Sequence, residues 1–257
     1  PSSLFYLNSI LYLPLIKFYM FMMPSILILG FVNLIIYKKI INSFKLRNIS
    51  YITFFSLLIL IFINIFFYRI GEHGTDKSAQ ILIFLLIIEF LIFLEKIKIS
   101  SKILSKIYLL TGLIISLKAF YVLYATILLI LFFEVLKKKN FLNSIKLFLR
   151  NSFFIPFLIF FIFILLSYFV NTGCLVYPVS ITCFENFSWS ITKAEVRELN
   201  NWYELWSKAG AGPNHRVENP AEYISQFNWI SNWIDKYFFN KVSDFLLGIV
   251  FLLVVTN

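Results

Sequence analysis

Runs of Phe, Ile and Leu alternate with short basic segments along most of the chain, and the runs set the first expectations. A helix needs about 20 apolar residues to cross roughly 30 Å of hydrocarbon. Phe18–Tyr37 and Tyr51–Tyr68 are read as spans, and the run after Thr75 reaches Leu94 as a third. Leu4–Ile16 is shorter, is bounded by Ser2, Ser3 and Lys17, and reads as a helix lying at the membrane interface. Asn151–Val170 spans again, and Phe245 begins a further run. Ile107–Leu136 has 30 residues, long for one crossing, with Lys118 inside it. It is either one tilted helix or two short helices that turn at Lys118.

Charge decides between them. Segments 38–50, 95–106 and 137–150 hold thirteen Lys and Arg against one acid, Glu95. The positive-inside rule places all three on one side, so the number of crossings between 106 and 137 is even. Two short helices result, with Lys118 at the outer turn, where a long side chain can reach the interface. Segment 171–242 is mixed, with six Lys and Arg and seven acids, and falls on the outer side. The expected fold is all-α: a polytopic transmembrane bundle of about seven membrane helices with a mostly helical outer-face segment. Residues 1–170 form the membrane region with short outer loops, 171–242 the outer segment, and 243–257 the start of another membrane helix.

Composition agrees: 60% of residues are hydrophobic and 14% charged, against about half and a quarter in soluble domains. The net charge of +10 flanks apolar runs, so it acts as a topology determinant and does not point to nucleic acid. The chain begins at Pro1 and stops within an apolar run, which reads as a fragment cut at both ends.

The unusual chemistry lies in Arg69, Glu72, His73, Asp76 and Lys77, between two apolar runs. The spacing from Arg69 to Glu72, His73 and Asp76 fits one helix face, whereas Gly71 and Gly74 favour a tight loop. Either arrangement brings carboxylates and cations together. The set can bind a divalent cation through Glu72, His73 and Asp76, act as acid or base, or pair its own charges. Thr75 can cap the following helix, with Asp76 in its first turn. Cys174 and Cys183 lie nine residues apart in the outer segment, where an oxidising compartment favours a disulfide. Trp202/Trp206 and Trp229/Trp233 have i, i+4 spacing, so each pair shares a face for packing, interfacial anchoring, or stacking on a sugar or lipid. Ala209 to Pro213 reads as a flexible turn between the pairs.

The order of these features resembles the GT-C superfamily of membrane glycosyltransferases. Pro1-Ser2-Ser3-Leu4 and the span ending at Lys38-Lys39 look like the end of that family's first outer loop and its next helix. Phe66-Phe67-Tyr68-Arg69-Ile70-Gly71-Glu72, with Asp76, is similar to the aromatic-Arg-x-x-Glu and downstream Asp of the second outer loop. Gly112-Leu113-Ile114-Ile115-Ser116-Leu117-Lys118 is similar to a Gly-containing short helix ending in Leu-Thr-Lys, with Ser116 and Leu117 in place of Leu-Thr. Gly173 to Pro178 and Thr182-Cys183-Phe184 look like a little-characterised bacterial branch of the superfamily.

The resemblance implies a transferase that takes sugar from a polyprenyl-phosphate-linked donor to a glycan, lipid or protein acceptor. It would sit among membrane lipids at the periplasmic face of a bacterial inner membrane. The resemblance matches Glu72 and Asp76, read as the catalytic acids, to the family's second acidic motif, which helps bind metal or acceptor, and Lys118 to its lysine near the lipid-linked phosphate; the cluster's own charges add Arg69, His73 and Lys77 as substrate-binding residues. Asp76 and His73 would hold a divalent ion such as Mg or Mn. The family's main catalytic carboxylate would precede residue 1. The rival readings are a transporter or flippase of lipid-linked glycans, for which Glu89 is the one acid deep in an apolar run, and a non-catalytic scaffold.

Overall fold

The computed structural model describes residues 12–13, 18–19, 23–47, 49–67, 76–95, 101–138, 140–212 and 214–256. They are predominantly helical and fall into two compact units, divided between Ile164 and Leu165.

In the first unit, β1 (Tyr12–Leu13) pairs antiparallel with β2 (Phe18–Tyr19). The expected interfacial helix over Leu4–Ile16 is therefore corrected at its end, and the rest of it lies outside the described residues. The next helix, α1, runs Met23–Lys45 and does not begin at Phe18. Pro24 fixes its first turn, because proline has no N–H to give an earlier carbonyl. It also continues past Tyr37 through Lys38 and Lys39, since nothing before Arg47 (φ 51°) breaks the helix.

Helix α2 (Tyr51–Phe66) starts behind Ser50, whose backbone is extended, and returns along α1. Asn33 and Asn64 exchange amide hydrogen bonds of 3.0 and 3.1 Å between these helices, so neither apolar surface carries an unpaired amide there. Helix α3 (Asp76–Glu95) packs on both. It is followed by α4 (Ser101–Leu117), a 3₁₀ turn (Ala119–Ala125), α5 (Thr126–Leu136), α6 (Phe141–Leu149) and α7 (Phe154–Thr172). Fully buried Ile36, Ile59, Ile63, Ile81, Leu86, Ile88, Leu104 and Ile107 fill the space among α1 to α4.

The long apolar run 107–136 breaks at Lys118 and turns back. Tyr108 on α4 and Phe132 on α5 both meet Phe148, with ring centroids at 6.3 and 5.4 Å. They are thus within about 12 Å of each other, whereas 24 residues of straight helix would part them by about 36 Å.

Among the described residues, three helices are long and apolar enough to cross a membrane: Met23–Lys45, Lys77–Glu95 and Phe154–Thr172. A fourth is reached only if Ile230–Phe239 and Ser243–Val255, bent by 66°, form one span. The expectation of about seven is corrected. The reason is length. Helix α2 has 16 residues and α5 has 11, which give about 24 and 16 Å of rise. The 17 residues of α4 include Lys102 and Lys106.

The second unit holds the Cys174–Cys183 disulfide, which packs with buried Val196 against Tyr177 and Ile191. Gly173 takes φ +75° there, and its carbonyl accepts from the N–H of Phe184 at 2.9 Å. Thr192 and Glu195 cap α8 (Lys193–Ser207) reciprocally. Tyr177 feels the burial, which pushes its phenol above the ordinary tyrosine range, and the nearby Tyr203 adds to this. Strands β3 (Ala211–Gly212) and β4 (His215–Arg216) follow, then α9 (Pro220–Ile224) and α10 (Ile230–Trp233). A π-helical segment, Ile234–Val242, leads into α11 (Ser243–Thr256).

Candidate functional site

Helices α3 and α4 run antiparallel, and an ion triad centred on buried Glu89 fixes their register. Glu89 accepts from Lys106 Nζ at 3.3 Å and pairs with Lys39 Nζ at 2.8 Å, which ties α1, α3 and α4 together. At 1.5 Å of rise per residue, α3 leads back about 20 Å from Glu89 to residue 76, and α4 leads on about 18 Å from Lys106 to Lys118. Residue 76 and Lys118 therefore stand at the same end of the pair. Buried Ser78 donates to buried Ser25 at 2.9 Å, so the start of α1 is at that end too. The first residues of α1 and α3, with Lys77, therefore lie at the end where α4 gives way to Lys118.

Lys118 is half-buried, with an extended backbone (φ −151°, ψ 117°) between the two helical stretches. Its N–H donates to Ile114 O at 3.2 Å, and its carbonyl accepts from Tyr121 N–H at 3.0 Å. Ser116 Oγ donates to Leu113 O at 2.8 Å, in competition with the helix ladder just where α4 ends. Tyr121 and Tyr124 meet edge to face at 5.8 Å on the turn.

Of the residues the sequence singled out, Arg69, Glu72, His73 and Thr75 lie outside the described residues. Asp76 is described as the first residue of α3, and Lys77 follows half-buried. Among the described residues no group of three His, Cys, Asp or Glu converges as a metal site.

The opposite end collects the basic segments. Asn151 is buried and donates to Ser101 O at 3.1 Å and Ser101 Oγ at 3.2 Å, while Ser105 Oγ donates to Asn151 Oδ1 at 3.0 Å. These bonds gather segment 137–150 onto the start of α4, beside the Lys39–Glu89–Lys106 triad. Sequence reasoning read Glu89 as a lone acid and missed both lysines. The available signal was that 89 and 106 are equidistant from the short connection between α3 and α4.

In the second unit, Trp202 and Trp206 meet edge to face at 4.6 Å and Trp229 and Trp233 at 6.3 Å, which is packing geometry. Lys208 Nζ lies 5.4 Å from the centre of the Trp229 ring and pairs with Glu204. The turn after α8 is pinned by Tyr223 OH donating to Lys208 O at 2.8 Å and Asn232 Nδ2 donating to Ala209 O at 3.0 Å. The expected flexible connection is thus a hydrogen-bonded corner.

No curated protein and no solved structure matches the chain. A family model described as a domain of unknown function, DUF8201, matches residues 1–257, and the chain belongs to that family.

Proposed function

We propose that this protein is a membrane glycosyltransferase of the GT-C kind, working at the end of the helical bundle that carries Lys118. The observation that carries the reading is the placement of residue 76 and Lys118 at one end of the α3/α4 pair, with Lys77 beside them and the basic segments at the other end. A polyprenyl-phosphate-linked sugar would enter with its phosphate on Lys118, a point charge that suits an oxyanion. The acceptor oxygen forms its bond to the anomeric carbon as a carboxylate base removes its proton, and the bond from that carbon to the phosphate oxygen breaks. The departing phosphate keeps the electron pair and the ammonium of Lys118 balances its charge.

Glu72 and Asp76 would orient the acceptor, with Arg69, His73 and Lys77 on the substrate. A divalent ion such as Mg or Mn, if used, would be held by Asp76 and His73 and would offset phosphate charge. The setting is the periplasmic face of a bacterial inner membrane. Glu89 favours this reading over transport, because its two lysine partners already account for the one acid deep in an apolar run.

Transfer from a labelled polyprenyl-phosphate sugar, followed in membranes holding the full-length protein, tests the proposal. Lys118→Gln and Asp76→Asn should each lower transfer about 100-fold with insertion unchanged. Transfer at the unsubstituted rate in both variants would refute the assignment.

A further inference from the structure

A cation-lined cavity lies at the basic end, away from Lys118. It opens between α6 and the start of α4 and has a volume of about 620 Å³, within the ~300–1,000 Å³ range of small-ligand sites. Its polar lining is Ser101, Lys138, Asn140, Asn143, Lys146 and Arg150. Three cations and no acid line it, and among the described residues none of the three has a carboxylate partner. The nearest acid in sequence, Glu134, is taken by Lys137. An uncompensated cluster of this kind calls for an anion. The guanidinium of Arg150 can hold two oxygens of a phosphate, and the asparagine amides can serve further oxygens or hydroxyls.

Helix α6 adds the second half of the ligand. At 100° per residue, Asn143, Lys146 and Arg150 share one face, while Phe141, Leu142, Ile145 and Leu149 share another. Ser144 and Phe148 turn into the bundle and are buried. The apolar face is left open: Phe141 is 59% exposed, Leu142 70% and Leu149 53%. An amphipathic helix of this design lies in the plane of the interface, with its apolar face among acyl chains and its cations at headgroup depth. Hydrogen bonds from buried Asn151 fix Ser101, which lines the cavity at the start of α4.

We propose that this cavity binds the phosphate of an anionic phospholipid from the leaflet facing the basic segments, with its acyl chains against Phe141, Leu142 and Leu149. Neither a free phosphate nor a neutral lipid satisfies both the cationic pocket and the apolar face beside it.

Native mass spectrometry of the full chain in detergent, with added phosphatidylglycerol or phosphatidylcholine, tests it. The unsubstituted protein should retain phosphatidylglycerol about tenfold better. Lys146→Gln/Arg150→Gln should lose that preference, and Lys146→Arg/Arg150→Lys should keep it. Lys45→Gln/Arg47→Gln, which removes as many cations from outside the cavity, should keep it too. Should the double glutamine variant fail to fold, Lys138→Gln alone should lower the preference about threefold. Millimolar inorganic phosphate should not displace the lipid. Equal retention of both lipids, an equal loss in the Lys45/Arg47 control, or displacement by phosphate would each overturn the proposal.

Discussion

Glu89 offers the sharpest test of how the helices are held. Its side chain is 3% exposed, and its partners Lys39 and Lys106 are 23% and 47% exposed. At an effective dielectric near 20, the 2.8 Å contact with Lys39 corresponds to a gross attraction of about 6 kcal/mol, most of it offset by desolvation. Removing one partner of a fully buried pair costs about 3–5 kcal/mol, because the other charge is left in a poor medium. Lys106 is half in solvent and can turn away, so only Lys39 bears much of that penalty. Glu89→Gln should therefore destabilise by about 2–3 kcal/mol, and Glu89→Ala by slightly more, since it also leaves a void. For a chain of this size that is a fall in melting temperature of about 4–12 °C. The assay is thermal unfolding of the purified chain in one detergent. Lys39→Met combined with Glu89→Gln should recover part of the loss, and Lys106→Gln alone should cost under about 1 kcal/mol. A Glu89→Gln variant that melts within about 1 °C of the unsubstituted protein would refute the argument, and so would a Lys106 variant that melts lower than the Glu89 one.

Three further outcomes concern the second unit. Replacing Cys174 and Cys183 by Ser should cost about 2–3 kcal/mol, as loss of a closure across nine residues implies; an unchanged melt with and without reductant would contradict this. Glu195 accepts from the backbone N–H and side chain of Thr192 at 2.9 Å each, which holds its carboxyl below the ordinary value of 4.5. Its stabilising effect on α8 is thus complete above 4.5 and is lost as pH falls through the lower folded value, so Glu195→Gln should remove an acid step in the circular dichroism at 222 nm. A Cβ at Gly210 would stand 2.5 Å from Tyr223 Cε1. Gly210→Ala should cost about 1–3 kcal/mol and change the near-ultraviolet signal of the Tyr223 corner; an unaltered spectrum would mean that the ring moves aside freely.

What the sequence could reveal depended on which physical signal each feature carries. Hydrophobic runs are legible because one rule, burial of the backbone in helices, covers all of them. The turn at Lys118 is legible because charge is conspicuous among apolar residues. The start of α1 is not: a two-residue pairing such as Tyr12–Leu13 with Phe18–Tyr19 has no periodicity to detect. Nor is the number of crossings, because run length counts apolar residues and not the helix they end up in. The run 107–136 forms the two helices expected on either side of Lys118, but α5 has only 11 residues and α4 carries Lys102 and Lys106, so neither is long and apolar enough to cross.

Glu89 shows a deeper limit. In sequence it is an isolated acid among apolar residues, the signature of a transport path. Its meaning comes from Lys39, 50 residues earlier, and Lys106, 17 later, which only the packing of three helices brings together. The same contact sets the register that carries residue 76 and Lys118 to the far end. On the proposed function, structural and catalytic groups stand at opposite ends of these helices, and their substitutions should separate. Substitutions at Glu89 should lower stability and leave the transfer rate of the surviving folded protein intact, whereas substitutions at Lys118 should do the reverse. A loss of transfer in Glu89→Gln beyond its loss of folded protein would mean that the two ends are coupled and that the acid has a second role.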